Sequence, residues 1–430
     1  MADFDTLRIR AGYDPAEHNN SVNVPIYQTA AFELGSLDRA ESIWALESDD
    51  AIYTRVGNPT SAVLEERLKA LDGAYSALAL SSGMAAISYT ILALTEGGGN
   101  IIASNSIYGG SEDAFSHFFP RFGSHIKFVA DRNDPASYEA EIDDKTRGIY
   151  IETISNPNAE LYDIEALAEI AHRHGIPLIV DNTVATPFLL NPIKHGADIV
   201  IYSATKALGG HGNAIAGAVL ESGNFEYSRE KYPQFYEPSY KIKDRLGNRR
   251  SAYDVDPKGP LGIHLRAYYL EFIGAALGPF EAYLVIQGLS TISERVEKQT
   301  RNAEKIAAFL ETRKEVRFVK YPTASDSPYK ELAAKYFPKG AGYLLSFGFG
   351  GTEEQLDRFI RHLKYFSYHV NIGDVRSLIV NSPKTTHAEL DDDHRRKAGI
   401  EDDLVRISAG LENADDLIND LREAFDEVFA

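Results

Sequence analysis

The chain has 430 residues, 44% hydrophobic and 25% charged, with a formal net charge of -19. That length holds two or three domains around a core needing no external staple, and the acidic balance argues against a nucleic-acid surface. Cysteine is absent, which excludes disulfides, thiolate nucleophiles and Cys-ligated zinc or iron–sulfur sites.

The N-terminus, "MADFDTLRIRAG", is acidic and lacks the apolar run of a signal peptide. No window approaches the ~18 uninterrupted apolar residues of a membrane span, so a cytoplasmic protein with no membrane partner is expected. Residues 1–60 are rich in Asn, Pro and Thr, as in "NNSVNVPIYQTAAFEL" and "YTRVGNPT". They predict an extended arm that orders against another surface.

From "PTSAVLEERLKALDG" onward, helical patterns alternate with short apolar runs: "YSALALSSG", "NIIASN", "IKFVAD", "RGIYIET", "IPLIVDNT", "ADIVIYSATK" and "IAGAVLE". Runs rich in Ile and Val, separated by helices such as "DIEALAEIAHRHG", predict a mostly parallel sheet buried on both faces. This α/β domain is expected over residues 61–265. The basic stretch "YKIKDRLGNRR", 240–250, reads as a solvated loop. A long helical stretch, "GPFEAYLVIQGLSTISERVEKQTRNAEKIAAFLETR", follows. The strand candidates "GYLLSFGFG" and "SLIVNS" and the acidic helix "ADDLINDLREAFDEVF" complete a smaller α+β domain, 266–430.

Open α/β sheets bind ligands beyond the carboxyl ends of their strands, and four such places carry polar residues. In "LALSSGMAAI", Ser82 and Gly83 precede a helix start whose free N–H groups suit a phosphate, or need only an ordinary Ser cap. Tyr108 in "SNSIYGG" can present its ring to a planar ligand, or pack as any tyrosine does. Asp181 closes "IPLIVDNT", where an acid caps a turn, binds a metal or pairs with a heteroaromatic nitrogen. In "IYSATKALGGHGNAIAG", Lys206 follows Ser203 and Thr205: the hydroxyls can reach a phosphate while the amine reaches a carbonyl. Each feature has a bland reading. Together they are the parts that pyridoxal 5′-phosphate requires.

With "YTRVGNPT", "SSGMAAI", "ETISNPN", "VDNTVATP", "SATKALGGHG" and "RISAGLE" in order, nearly the whole chain resembles the Cys/Met-metabolism family of fold-type I pyridoxal-phosphate enzymes. The resemblance implies a mostly parallel seven-stranded sheet in the large domain and a smaller α+β C-terminal domain. It implies that Lys206 anchors the cofactor covalently and that Asp181 pairs with the pyridine nitrogen. Tyr108 stacks on the ring and shares in proton transfer. Gly83, Met84, Ser203 and Thr205 bind the phosphate, and Tyr53 and Arg55 of the arm reach the phosphate of a neighbouring subunit. Asn156 sits near the phenolic oxygen and the substrate carboxylate, and Arg406 in "VRISAG" clamps that carboxylate. Tyr53 and Asn371 are further substrate-binding candidates, with Glu152 in a supporting part. Shared sites imply at least a dimer, and the family implies a homotetramer.

Three features resemble the O-acetylhomoserine sulfhydrylases within this family. They are "GGHGNAIAG", Asn371 in "NIGDVRSLIVNSPKTTH", and the long segment from Phe225 to Gly278. Departures are Asn381-Ser382 where His-Pro is frequent, Asn213 where Thr is common, and "GPFEAY" for "SPFNAF". The expected reaction is γ-replacement on O-acetyl-L-homoserine with sulfide or a small thiol, giving homocysteine. The alternatives are a cystathionine or methionine γ-lyase, a cystathionine γ-synthase, and a catalytically inactive binding protein. A metal enzyme, prompted by "AHRHG", is disfavoured. His172 and His174 lie two apart near a helix end and point in different directions.

Overall fold

The structure is a computed structural model that describes residues 2–48, 50–388 and 392–430. Its large sheet has seven strands: β1 (Ser76–Leu80), β2 (Gly99–Ala103), β3 (Ser124–Phe128), β4 (Thr146–Glu152), β5 (Leu178–Asp181), β6 (Ile199–Tyr202) and β7 (Gly217–Glu221). They lie in the order β1-β7-β6-β5-β4-β2-β3. All neighbours run parallel except β7, which is antiparallel to both β1 and β6. Each strand falls on one of the seven apolar runs. Strands β2, β5, β6 and β7 are buried at every position, as a sheet covered on both faces requires.

Between the two sheets in chain order comes a ribbon, β8 (Ser239–Lys243) and β9 (Arg249–Arg250). The expected solvated loop is therefore a hairpin. Its Arg245 pairs with Asp38 and Glu47 of the arm, at 2.8 and 2.7 Å. The smaller sheet has the order β10-β11-β14-β13-β12. Its strands are β10 (Val316–Lys320), β11 (Leu344–Phe349), β12 (Ser367–Tyr368), β13 (Leu378–Asn381) and β14 (Leu404–Ser408). Central β14 pairs antiparallel with β11 and β13, placing Arg406 opposite Ser346 and Val380.

The arm is less extended than its composition suggests. Helices form at Phe4–Arg10, capped by Asp3, and at Leu37–Trp44, capped by Ser36. Caps of this kind stabilise turns too short to show a period. The long helical stretch is two helices, Pro279–Leu289 and Ile292–Glu311. Position 265, expected as a domain limit, is the first residue of helix Leu265–Ile273, which packs on helix Gly83–Leu94.

Helix Ile292–Glu311 ties the two sheets together through buried polar side chains. Arg295 donates to the carbonyls of Ala207, Leu208 and Gly288, and Gln299 donates to Asp374 O at 2.7 Å. The carbonyls of Ala207 and Leu208 belong to the turn just after Lys206. This explains a glycine there: Gly210 has φ +74°, and a Cβ on it would come within 2.0 Å of Arg295 Nη1.

Candidate active site

Four strand ends of the large sheet and one strand of the small sheet converge on Lys206. The lysine lies in the turn after β6, and its Nζ donates to Asn371 Oδ1 at 2.8 Å. Burial, then the charge of Arg406, lowers its pKa to about 8. Arg406 is buried and reaches back over the same place. Nη1 donates to Asn156 Oδ1 at 2.9 Å and Nη2 to Asn371 O at 3.0 Å. Its Nε is buried without a partner among the described residues, and burial lowers its pKa to about 10. An unfilled N–H on a guanidinium suits a bidentate carboxylate.

Asp181 ends β5 and lies beside Glu152, the end of β4, in parallel register. Asp181 accepts from Thr183 N at 2.9 Å and from Tyr150 Oη at 3.3 Å. No cation pairs with it among the described residues, and burial raises its pKa. A protonated pyridine nitrogen is the donor and the charge that such a carboxylate lacks. Glu152 accepts Tyr108 N–H at 2.7 Å and Asn156 N–H at 3.0 Å. Burial and the neighbouring Asp181 charge hold its carboxyl well above the usual range.

The phosphate candidates meet where helix Gly83–Leu94 begins. Ser82 caps it by accepting from Ala85 N, which leaves the first-turn N–H groups of Gly83 and Met84 for a ligand. A Cβ on Gly83 would sit 2.6 Å from Ser203 Cβ, so the two strand ends approach closely only because residue 83 is glycine. The hydroxyl of Thr205 donates to Ala216 O at 3.1 Å and accepts from Ala216 N at 2.9 Å. Its proton is therefore committed to the backbone in this structure. Tyr108 caps helix Gly109–Asp113 and is 39% exposed.

Lys206, Asn371, Arg406 and Asn156 are joined by hydrogen bonds, and Glu152 connects them to Tyr108 and Asp181. Tyr53 and Arg55 do not join this cluster. They lie in the arm, each 43% exposed, with Arg55 above the Tyr53 ring and 3.6 Å from Glu271. His172 and His174 diverge, to Asp198 and to Glu139, both at 2.8 Å.

Sequence reasoning missed three contributors. Arg295 looked like any helix charge. Thr183, whose hydroxyl accepts from Ser203 N at 2.8 Å, looked like a turn residue. His387, at the end of "NSPKTTH", is buried; burial and then Arg406 lower its pKa to about 4. All three sit in quoted stretches, but their partners are distant in the chain or belong to the backbone, which a motif does not display. The residues present fit pyridoxal phosphate: a lysine with a depressed pKa, a buried acid that no cation pairs with among the described residues, free N–H groups at a helix start packed closely on Ser203, and a part-exposed tyrosine before two glycines.

Comparisons agree. Sulfhydrylase FUB7 of Gibberella moniliformis is 38% identical over 99% of this chain and 98% of its own length. The O-acetyl-L-homoserine sulfhydrylase of Leptospira meyeri is 38% identical over 99% of this chain and 97% of its own. A Campylobacter jejuni protein provisionally named O-acetylhomoserine (thiol)-lyase superposes with a TM-score of 0.93 at 37% identity, covering 99% of this chain and 100% of that one. Its crystal structure carries N′-pyridoxyl-lysine-5′-monophosphate. The family described as Cys/Met metabolism PLP-dependent enzyme matches residues 5–426, and this chain belongs to it.

Proposed function

We propose that this enzyme replaces the acetoxy group of O-acetyl-L-homoserine with sulfide or a small thiol, releasing acetate and, with sulfide, L-homocysteine. The observation that carries the reading is the junction at Asn371. Its side chain meets the Lys206 amine and its carbonyl meets Arg406, so the proton-moving group and the carboxylate clamp share one anchor. The names of the sulfhydrylase relatives support the donor and the nucleophile.

Pyridoxal phosphate, when bound, supplies an electron sink that acidifies the substrate carbons near its amino group. Asp181 would keep the ring nitrogen protonated, and Gly83, Met84 and Ser203 would hold the phosphate, with Thr205 joining if its hydroxyl leaves Ala216. Arg406 binds the α-carboxylate, steadied by Asn156. Lys206, with a pKa near 8, has a substantial neutral fraction at physiological pH and moves protons at Cα and Cβ. Lys206 would take the Cα and Cβ protons as acetate leaves Cγ, and would return both once hydrosulfide has bonded there. Tyr108 would pack on the ring and assist proton transfer.

In the same reading, Tyr53 and Arg55 serve a neighbouring protomer's phosphate. The exposed Val22, Leu37 and Trp44 of the arm support a covering partner. We extend this to a cytoplasmic homotetramer of dimers with shared sites. We likewise propose that the chain divides into three parts, at residues 60 and 265. The test supplies O-acetylhomoserine with sulfide, and separately cystathionine alone, and assays homocysteine and 2-oxobutyrate. Homocysteine as the main product supports the synthetic reading. Dominant 2-oxobutyrate replaces it with a γ-lyase.

A further inference from the structure

Glu152 occupies an expensive position. It is buried, its neighbour across the sheet is a second buried carboxylate, Asp181, and no lysine, arginine or histidine pairs with it among the described residues. Two like charges placed side by side in a dry interior destabilise a fold. Two backbone N–H groups are its only hydrogen-bond donors there, and any neutral acceptor could satisfy them. The identity of those donors is informative. One is Tyr108 N, at 2.7 Å and 44 positions away in the chain; the other is Asn156 N, at 3.0 Å.

These two residues lead to opposite sides of the site. Tyr108 opens helix Gly109–Asp113 and carries the phenol that the proposed site sets against the cofactor ring. Asn156 accepts from Arg406 Nη1 at 2.9 Å and so sets the guanidinium that faces the substrate carboxylate. Each carboxylate oxygen takes one of the two donors. The distance between Tyr108 and Asn156 is therefore fixed by the width of a single carboxylate.

We propose that Glu152 is a positioning residue that locks the cofactor-facing Tyr108 and the Asn156–Arg406 carboxylate clamp into one register, so that cofactor and substrate are gripped as a unit. This rests on the proposed pyridoxal-phosphate site. A glutamine cannot reproduce the lock, because its Nε2 is a donor and leaves one of the two N–H groups facing another donor. An aspartate keeps the carboxyl group but is one methylene short of spanning both.

The test compares Glu152→Gln and Glu152→Asp with the parent protein. The readouts are the cofactor Kd from absorbance titration, KM and kcat for the acyl-homoserine donor, and Tm. In at least one folded variant, cofactor Kd and donor KM both rise by about tenfold or more, the order expected when reacting groups lose their alignment. In the same variant kcat/KM falls further than kcat. Either constant staying within twofold of the parent in every folded variant overturns the coupling, even if Tm drops. Failure of both variants to fold also overturns it, since the role assigned is separate from fold stability. A parent that binds no pyridoxal phosphate would sink the underlying site reading instead, which keeps the two failures distinct.

Discussion

The Nζ of Lys206 donates to Oδ1 of Asn371 at 2.8 Å, across 165 positions of chain. The contact is between an amine and a neutral amide, so nothing in it offsets the lowering of the lysine pKa to about 8 by burial and Arg406. Asn371→Asp reverses this. A carboxylate there favours the charged amine and raises its pKa by about one unit or more. The ascending, low-pH limb of the pH–rate profile then moves to higher pH, and activity at neutral pH falls about tenfold. A kinetic pH titration of both proteins checks the shift.

Arg406→Lys removes a planar fork that holds Asn156 and Asn371 together. A lysine offers a point charge without that geometry. Charge-assisted hydrogen bonds are worth about 1.5–3 kcal/mol, so KM for the amino-acid donor rises about tenfold to a hundredfold. In the proposed site the guanidinium serves the substrate and not the phosphate, so cofactor affinity is expected to change far less. Steady-state kinetics beside a cofactor titration separates the two.

Gly83→Ala places a Cβ 2.6 Å from Ser203 Cβ and 2.9 Å from its Cα. Backbone cannot yield as a side-chain tip does, and such overpacking costs about 1–3 kcal/mol. In the proposed site the displaced atoms hold the phosphate, so cofactor Kd is expected to rise by about tenfold while the far side of the sheet is untouched. Absorbance titration with pyridoxal phosphate measures it.

Asp72 lies beneath the site, where it accepts from Tyr202 Oη through both oxygens at 2.9 Å, and burial raises its pKa to about 7. The folded state thus holds a proton that the unfolded chain, with an ordinary carboxylate near 3.8, releases earlier. Its contribution is full below about pH 4 and declines as pH rises towards 7. Asp72→Asn removes this slope. The difference in Tm between variant and parent should therefore change steadily from pH 4 to 7 and level off above. A difference independent of pH contradicts the assignment.

The large sheet was legible because its strands are covered on both faces: seven apolar runs gave seven strands. Strand β14 was not read as one, since Arg406 interrupts "LVRIS" and its burial depends on the Asn156 and Asn371 partners. Residues at strand ends were legible through chain order alone. The paired grip of Glu152 was not, because both of its donors are backbone N–H groups, and a sequence does not display backbone donors. The arm helix Leu37–Trp44 was missed for its length, as eight residues give too few turns to show a period.

The account's central claim is that the amine at position 206 is the one that binds the cofactor aldehyde. Borohydride reduction of the protein loaded with pyridoxal phosphate, followed by peptide mass spectrometry, tests it directly. The account predicts one reduced pyridoxyl phosphate per chain, on the peptide containing Lys206, and none on Lys206→Ala. Attachment at a different lysine, or no attachment to the parent protein, would contradict it.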